Sequence, residues 1–216
     1  MANTRTPGQR AGLSQSDVVA AARAILHGEG VAAVSMRRIA AGLGVAPNAL
    51  YSHVADKDAL LDLLLDSALA DIDLSPAGGW RDCVEAVLAD VRRALLADAD
   101  LVPLFLARQT IGPNAVRVAE TVLDHLDRGG VRGPDGVRVF QVLLVHTVGA
   151  TAFELGRRDD PDPPARRRRG RQTALALDPA GFPHMTSQAT AMSRYPGDTV
   201  FRLGLRLIMD GLAASR

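Results

Sequence analysis

Within the segment SMRRIAAGLGVAPNALYSHVADK, running from Ser35 to Lys57, the residues Asn48, Ala49, Tyr51, Ser52 and His53 bring together an amide, a methyl, a phenol, a hydroxyl and an imidazole. Such a mixture suits contacts with base edges in a groove and with phosphate oxygens. Lys57, the only lysine of the chain, follows directly, where an ammonium can reach a phosphate. Bond-making chemistry has no comparable signature. The histidines His27, His53, His125, His146 and His184 and the scattered acids build no Ser-His-Asp order, HExxH, P-loop or GxGxxG, and Cys83 lacks a local activating motif. No catalytic residue, metal site or cofactor is therefore expected. The alternatives, a helical enzyme or a structural adaptor without DNA binding, leave an exposed polar recognition face without a use.

The elements that position this face are two short helical patterns around a tight turn. Met36, Ile39, Ala40 and Leu43 recur at helical spacing, Arg37 and Arg38 turn outward, and Ser35 stands where an N-cap belongs. Gly44 supplies the positive φ that a helix end requires, and Val45 plugs the angle between the helices. Pro47 opens the second helix, where no backbone donor is needed, and Leu50 and Val54 give it a buried side. This is the layout of a helix-turn-helix DNA reader.

The order S-x-R-x-I-A-x-x-L-G-V, followed by L-Y-x-H-V-x-x-K-x-x-L-L, resembles the N-terminal domain of the tetracycline-repressor (TetR) family of bacterial regulators. The upstream SQSDVVAAARAILHGEGVAAVS is similar to that family's first helix, with Val18, Ala21, Ala22, Ile25 and Leu26 as its apolar stripe. The resemblance implies that Arg37, Pro47, Asn48, Ala49, Tyr51, Ser52, His53 and Lys57 contact double-stranded operator DNA. Tyr51, His53 and Lys57 are expected on phosphates, Arg37 and the face from Asn48 to Ser52 on base edges.

Composition sets the frame. The 216 residues are 47% hydrophobic and carry a formal net charge of +1, so DNA affinity has to come from locally placed charge. One cysteine excludes an internal disulfide, and no uninterrupted apolar run of about 20 residues or signal-peptide pattern occurs; a cytoplasmic protein with no membrane partner is expected. Period-two alternation is missing, while Ala, Leu and Arg dominate the regular segments, which predicts an all-α fold. The expected organisation is a flexible arm over 1–12, a three-helix helix-turn-helix domain over 13–58, and a helical effector-binding and dimerisation domain over 59–216. Between Arg157 and Arg171 the Pro, Asp and Arg content is too polar to bury a core, and a mobile loop is predicted over 157–181.

The last segment, DTVFRLGLRLIMDGLAASR, is similar to the final helix of the subgroup nearest the tetracycline repressors, in its pattern F-x-x-G-L-x-x-I-x-x-G-L. That resemblance implies a homodimer in which this helix and the one over Phe140–Leu155 pair with their twins, with Phe140, Leu144, Val148, Phe201, Leu205, Ile208 and Leu212 at the interface. It also implies a small-molecule effector inside the C-terminal domain, lined by Leu65, Val87, Val91, Leu104, Phe105, Arg108, Gln109, Ile111, Val122, Gln141 and His146. Arg108, Gln109 and His146 carry most of that signal, being polar groups flanked by apolar segments that need partners if buried. Asp73, Val87, Val91 and Arg108 stand where relatives that take magnesium-tetracycline have drug and metal contacts, so a more apolar or anionic ligand is expected.

Overall fold

Ser14 begins the first helix: its side chain accepts the Asp17 N–H at 3.2 Å, and the Asp17 carboxylate accepts the Ser14 N–H at 2.9 Å, a reciprocal capping box. These hydrogen bonds from the Ser14 side chain and backbone hold the Asp17 carboxyl below its ordinary range. The computed structural model describes residues 12–108, 112–158, 160–194 and 197–214, and among them there are only helices and connecting turns. In chain order the helices are α1 (Gln15–Glu29), α2 (Met36–Leu43), α3 (Pro47–Leu50), α4 (Lys57–Ser67), α5 (Trp80–Ala97), α6 (Val102–Ala107), α7 (Pro113–Arg128), α8 (Gly133–Arg158), α9 (Pro163–Leu175), α10 (Pro183–Ser187), α11 (Ala189–Met192) and α12 (Asp198–Ala214).

The chain divides into two compact units, one reaching to Ile72 and including Ala97–Ala119, the other comprising Asp73–Leu96 and the residues from Glu120 onward. The boundary expected between 58 and 59 does not coincide with this division. The reason lies in α4, whose Leu60, Leu61, Leu64 and Leu65 share one core with Val18, Ala22 and Leu26 of α1, Ile39 and Ala40 of α2, and Leu50 of α3. Leu101 joins that core fully buried, and Leu104 and Phe105 of α6 pack against it. Three helices alone would leave the leucine face of α4 in water.

Two further contacts tie the first unit. Arg108, at the end of α6, donates from Nε to Asp62 and from a terminal nitrogen to Asp58, both at 2.9 Å, and these carboxylates raise its pKa further. Asp66 of α4 is 4% exposed and accepts the backbone N–H groups of Ala115 (2.9 Å) and Asn114 (3.2 Å), together with the Asn114 side-chain amide at 3.0 Å. The residue before Pro113 is Gly112, which offers α7 no side-chain cap, so the acceptor comes from α4.

In the second unit, α5 buries Val84, Val87, Leu88, Val91 and Leu95 along one side, as its spacing predicts. α12 packs on α8. His146 of α8 has Nε2 2.9 Å from the Phe201 carbonyl, and the two rings stack with centroids 5.8 Å apart. Gly204 lies under that imidazole, since a Cβ there would sit 2.2 Å from its Cε1. Arg92 of α5 is buried, pairs with Glu154 of α8 and, at 3.4 Å, with Asp198 of α12, and its guanidinium lies over the Phe201 ring.

The segment expected as a mobile loop is largely helical. α8 continues to Arg158, and α9 starts with Asp162 accepting the Ala165 N–H at 2.8 Å and two prolines in its first turn. Proline is compatible with that turn, and arginine is a good helix former, so composition alone misjudged the segment. By length and composition α8 is apolar enough to cross a membrane, with a mean hydropathy of 1.4 over its best window, of which 22% is buried in the protomer.

Candidate nucleic-acid interface

The turn between α2 and α3 is fixed by backbone hydrogen bonds. Gly44 is left-handed (φ 67°, ψ 35°), its N–H reaches the Ala41 carbonyl at 3.2 Å, and the Val45 N–H reaches that of Ala40 at 3.0 Å. This Schellman arrangement demands a residue without a Cβ penalty at 44 and places half-buried Val45 in the angle between the helices. Ser35 caps α2 by accepting the Arg38 N–H at 3.4 Å. α3 is only four residues long, although the chain keeps turning through His53, whose N–H bonds to the Leu50 carbonyl at 2.9 Å. Leu50 and Val54 pin it to the core at 0% and 3% exposure. Gln15 of α1 closes its far end by donating to the His53 carbonyl at 3.0 Å.

With the apolar side anchored, Pro47, Asn48, Ala49, Tyr51 and Ser52 are all exposed, and His53 is half-buried. Tyr51 is 52% exposed, so it is not part of the reader's core. The Ser52 hydroxyl donates to the Ala49 carbonyl at 2.8 Å and keeps its lone pairs for an incoming donor. Arg37 is exposed and makes no ion pair among the described residues, whereas Arg38 is held by Glu29. Lys57 is exposed in the first turn of α4, which Asp56 caps by accepting the Ala59 N–H at 2.8 Å, and it makes no ion pair among the described residues. The structure thus brings all eight residues expected at the operator into α2, α3, the turn after it and the start of α4, with two uncommitted cations on the flanks.

Residues 18–64 match the family model described as bacterial regulatory proteins, tetR family, and residues 74–216 match the tetracyclin repressor-like C-terminal domain. The chain belongs to the TetR family. A transcriptional regulator of Saccharopolyspora erythraea is 33% identical over 144 residues, 66% of this chain and 61% of its own length, so the aligned part spans about three fifths of that relative. The transcriptional repressor DrrR1 of Streptomyces coeruleorubidus is 32% identical over 95% of this chain and 79% of its own. Among solved structures, the TetR-family protein ActR of Streptomyces coelicolor in complex with actinorhodin superposes with a TM-score of 0.87 at 29% identity, covering 95% of this chain and 98% of that one.

In this TetR-family chain the residues expected around an effector divide between the units. Leu65 is fully buried, Leu104, Phe105 and Arg108 half-buried, all in the first; Val87 and Val122 are fully buried and Val91 nearly so in the second. Gln109 and Ile111 lie outside the described residues. Gln141 is exposed on α8. Two of the three polar groups singled out as needing partners have them: Arg108 is forked onto Asp58 and Asp62, and His146 is bonded to the Phe201 carbonyl. Asp66 and Asn114 escaped the sequence reading altogether; the signal was available in a helix start, Gly-Pro-Asn, that lacks a cap of its own.

Of the residues expected at a dimer interface, Phe201 and Leu205 are 0% exposed and Val148 is 8% exposed in the protomer. Phe140, Leu144, Ile208 and Leu212 are half-buried beside them. The apolar side chains left in water on the same helices are Val142 (52%), Val145 (72%) and Phe153 (61%) on α8 and Leu203 (46%) and Leu207 (62%) on α12. Each helix therefore has apolar residues on two sides.

Proposed function

We propose that this regulator is a homodimeric repressor that holds a palindromic operator through two copies of the α2–α3 reader and releases it when a small molecule binds the C-terminal domain. The reading is carried by the exposed face Pro47–Asn48–Ala49–Tyr51–Ser52, set on buried Leu50 and flanked by Arg37 and Lys57. Such a face has hydrogen-bonding groups for base edges and charges for phosphates, and it serves no purpose in the protomer's own packing. The protein acts in the cytoplasm, where its DNA is, and has no catalytic role. Repression is favoured by the name of DrrR1, and ligand control by the actinorhodin complex of ActR.

Pairing is supported by an inverted burial pattern on α8. Thr147 and Thr151 are fully buried, each returning its hydroxyl to the carbonyl four residues back at 2.8 and 2.7 Å, while Val142, Val145 and Phe153 face outward. A two-fold axis through the outward faces of α8 and α12 covers these side chains and matches the symmetry of a palindrome. Gly149, Gly156 and Gly211 border open space on these faces and permit close helix approach. Ligand and operator are coupled reciprocally, each weakening the other by the same factor.

The test is fluorescence anisotropy on DNA from the gene's own upstream region against scrambled DNA, over a series of salt concentrations. Selective binding is expected, and Tyr51→Ala, which removes a phosphate contact, should weaken it. Lys57→Gln should weaken both DNAs alike and flatten the salt dependence by roughly 0.9 in log–log slope for each phosphate no longer neutralised, about 1.8 for a dimer. Equal, weak binding to both DNAs would refute the reading.

A further inference from the structure

The end of α8, α9 and the end of α11 line an open-sided cleft of about 640 Å³ whose lining includes five arginines, Arg157, Arg158, Arg166, Arg167 and Arg194, against one acid, Glu154. Glu154 is already engaged by Arg92. Arg166 is offset by Asp160 at 3.1 Å, and Arg158 donates to the Leu96 carbonyl at 2.8 Å. Arg167 and Arg194 are exposed and make no ion pair among the described residues. Like charges converging on one volume repel: α8 and α9 each bring two of the five, and Arg167 and Arg171 stand one turn apart on the surface of α9.

The lining is not purely polar. Met192 is 58% exposed at the rim, and Gly170 presents bare backbone. Planar guanidinium forks recognise carboxylates and phosphates in pairs, and an apolar rim gives an aromatic body somewhere to rest.

We propose that this cleft binds a small organic anion carrying at least two negative charges and an apolar or aromatic body, with Arg167 and Arg194 as its charge partners. The volume is that of a small-molecule site of roughly 300–1,000 Å³, and the arginines line a common cavity, so a nucleotide-sized ligand fits better than a duplex. The site shares no residue with the effector lining implied by family resemblance, and it stands whether or not the operator reading holds.

Calorimetry on the full chain with ADP and with pyrophosphate, at low salt and again with added salt, tests it. Saturable binding at one site per protomer is expected, tighter for ADP than for pyrophosphate and weaker as salt rises. Arg167→Glu with Arg194→Glu should weaken ADP about tenfold or more, with circular dichroism unchanged; should that pair fail to fold, Arg167→Gln and Arg194→Gln separately should each weaken ADP. No saturable binding of either probe at millimolar concentration, or an affinity that these variants leave unchanged, would overturn the proposal. Pyrophosphate binding as tightly as ADP would also overturn it, because the proposed ligand is held by an apolar body as well as by charge. Displacement of ADP by non-specific duplex DNA, with a salt slope that drops in the variants, would show a phosphate-backbone surface instead and likewise overturn it.

Discussion

Asp66→Ala isolates the contact that caps α7 from α4. In the native structure the carboxylate satisfies the N–H groups of Asn114 and Ala115, the second and third residues of α7, and one donor of the Asn114 amide. Truncation removes an N-cap interaction, typically about 1 kcal/mol. It also strands donors beside a 4% exposed position, at a further 1–3 kcal/mol or so, moderated because Asn114 and Ala115 are themselves half-buried. A destabilisation of about 3 kcal/mol follows, or roughly 6–12 °C in Tm for a chain of this size. Asn114→Ala, which spares both backbone N–H groups that donate to the Asp66 carboxylate, should cost about 1 kcal/mol. Urea unfolding followed by circular dichroism measures both. Hydrogen exchange should show the Asn114 and Ala115 amides losing protection first in Asp66→Ala. A destabilisation below about 0.5 kcal/mol for Asp66→Ala would refute the reasoning, because it would mean that water caps α7 as well as the carboxylate does.

Other perturbations separate the protomer's own core from its outward faces. Val145→Glu with Leu207→Glu, at positions 72% and 62% exposed, should yield a folded monomer by light scattering; a dimer that survives the change would refute the interface. Phe201→Ala, at 0% exposure, should instead cost about 3–5 kcal/mol of stability in urea. Gly204→Ala drives a methyl into the His146 ring at 2.2 Å and should destabilise by about 1–3 kcal/mol, less the helix propensity gained, with relief in the His146→Ala background. The Asp17 carboxyl is held below its ordinary value of about 3.9, so its contribution is present above that pH and disappears as pH falls through the lowered value. Asp17→Asn should therefore flatten the acid side of the stability–pH curve and leave that side unaltered only if the capping box does not form in solution.

The reader was legible because its signals are local. Ser35, Gly44, Pro47 and the spacing of Ile39, Leu50 and Val54 dictate caps, turn and buried face within twenty residues, and the structure keeps each of them. The second unit was harder for a physical reason. On α8 and α12 the sequence is apolar on opposite sides, and Thr147 and Thr151 satisfy their hydroxyls within the helix and go inside, so hydropathy alone does not tell the inward side from the outward one. The partners of Arg108 and His146 were invisible for a different reason, since they come from residues 46 to 55 positions away that no periodicity connects. α9 was hidden by composition, with the start signal Asp162–Pro163–Pro164 outweighed by its arginines.

A recognition helix of four residues has consequences for how this protein responds to heat. So short a segment has no helical stability of its own, because nucleation costs more than its few hydrogen bonds return. Its shape is borrowed from Leu50 in the shared core, from the Gly44 turn and from the Gln15 bond that fastens its end. The polar groups proposed to meet DNA are therefore arranged only while the surrounding unit stays folded, with no partly competent reader on the way down. Warming should abolish operator recognition along the same cooperative transition that melts α1 to α4, which makes the stability of that core a thermal set-point for the genes under its control.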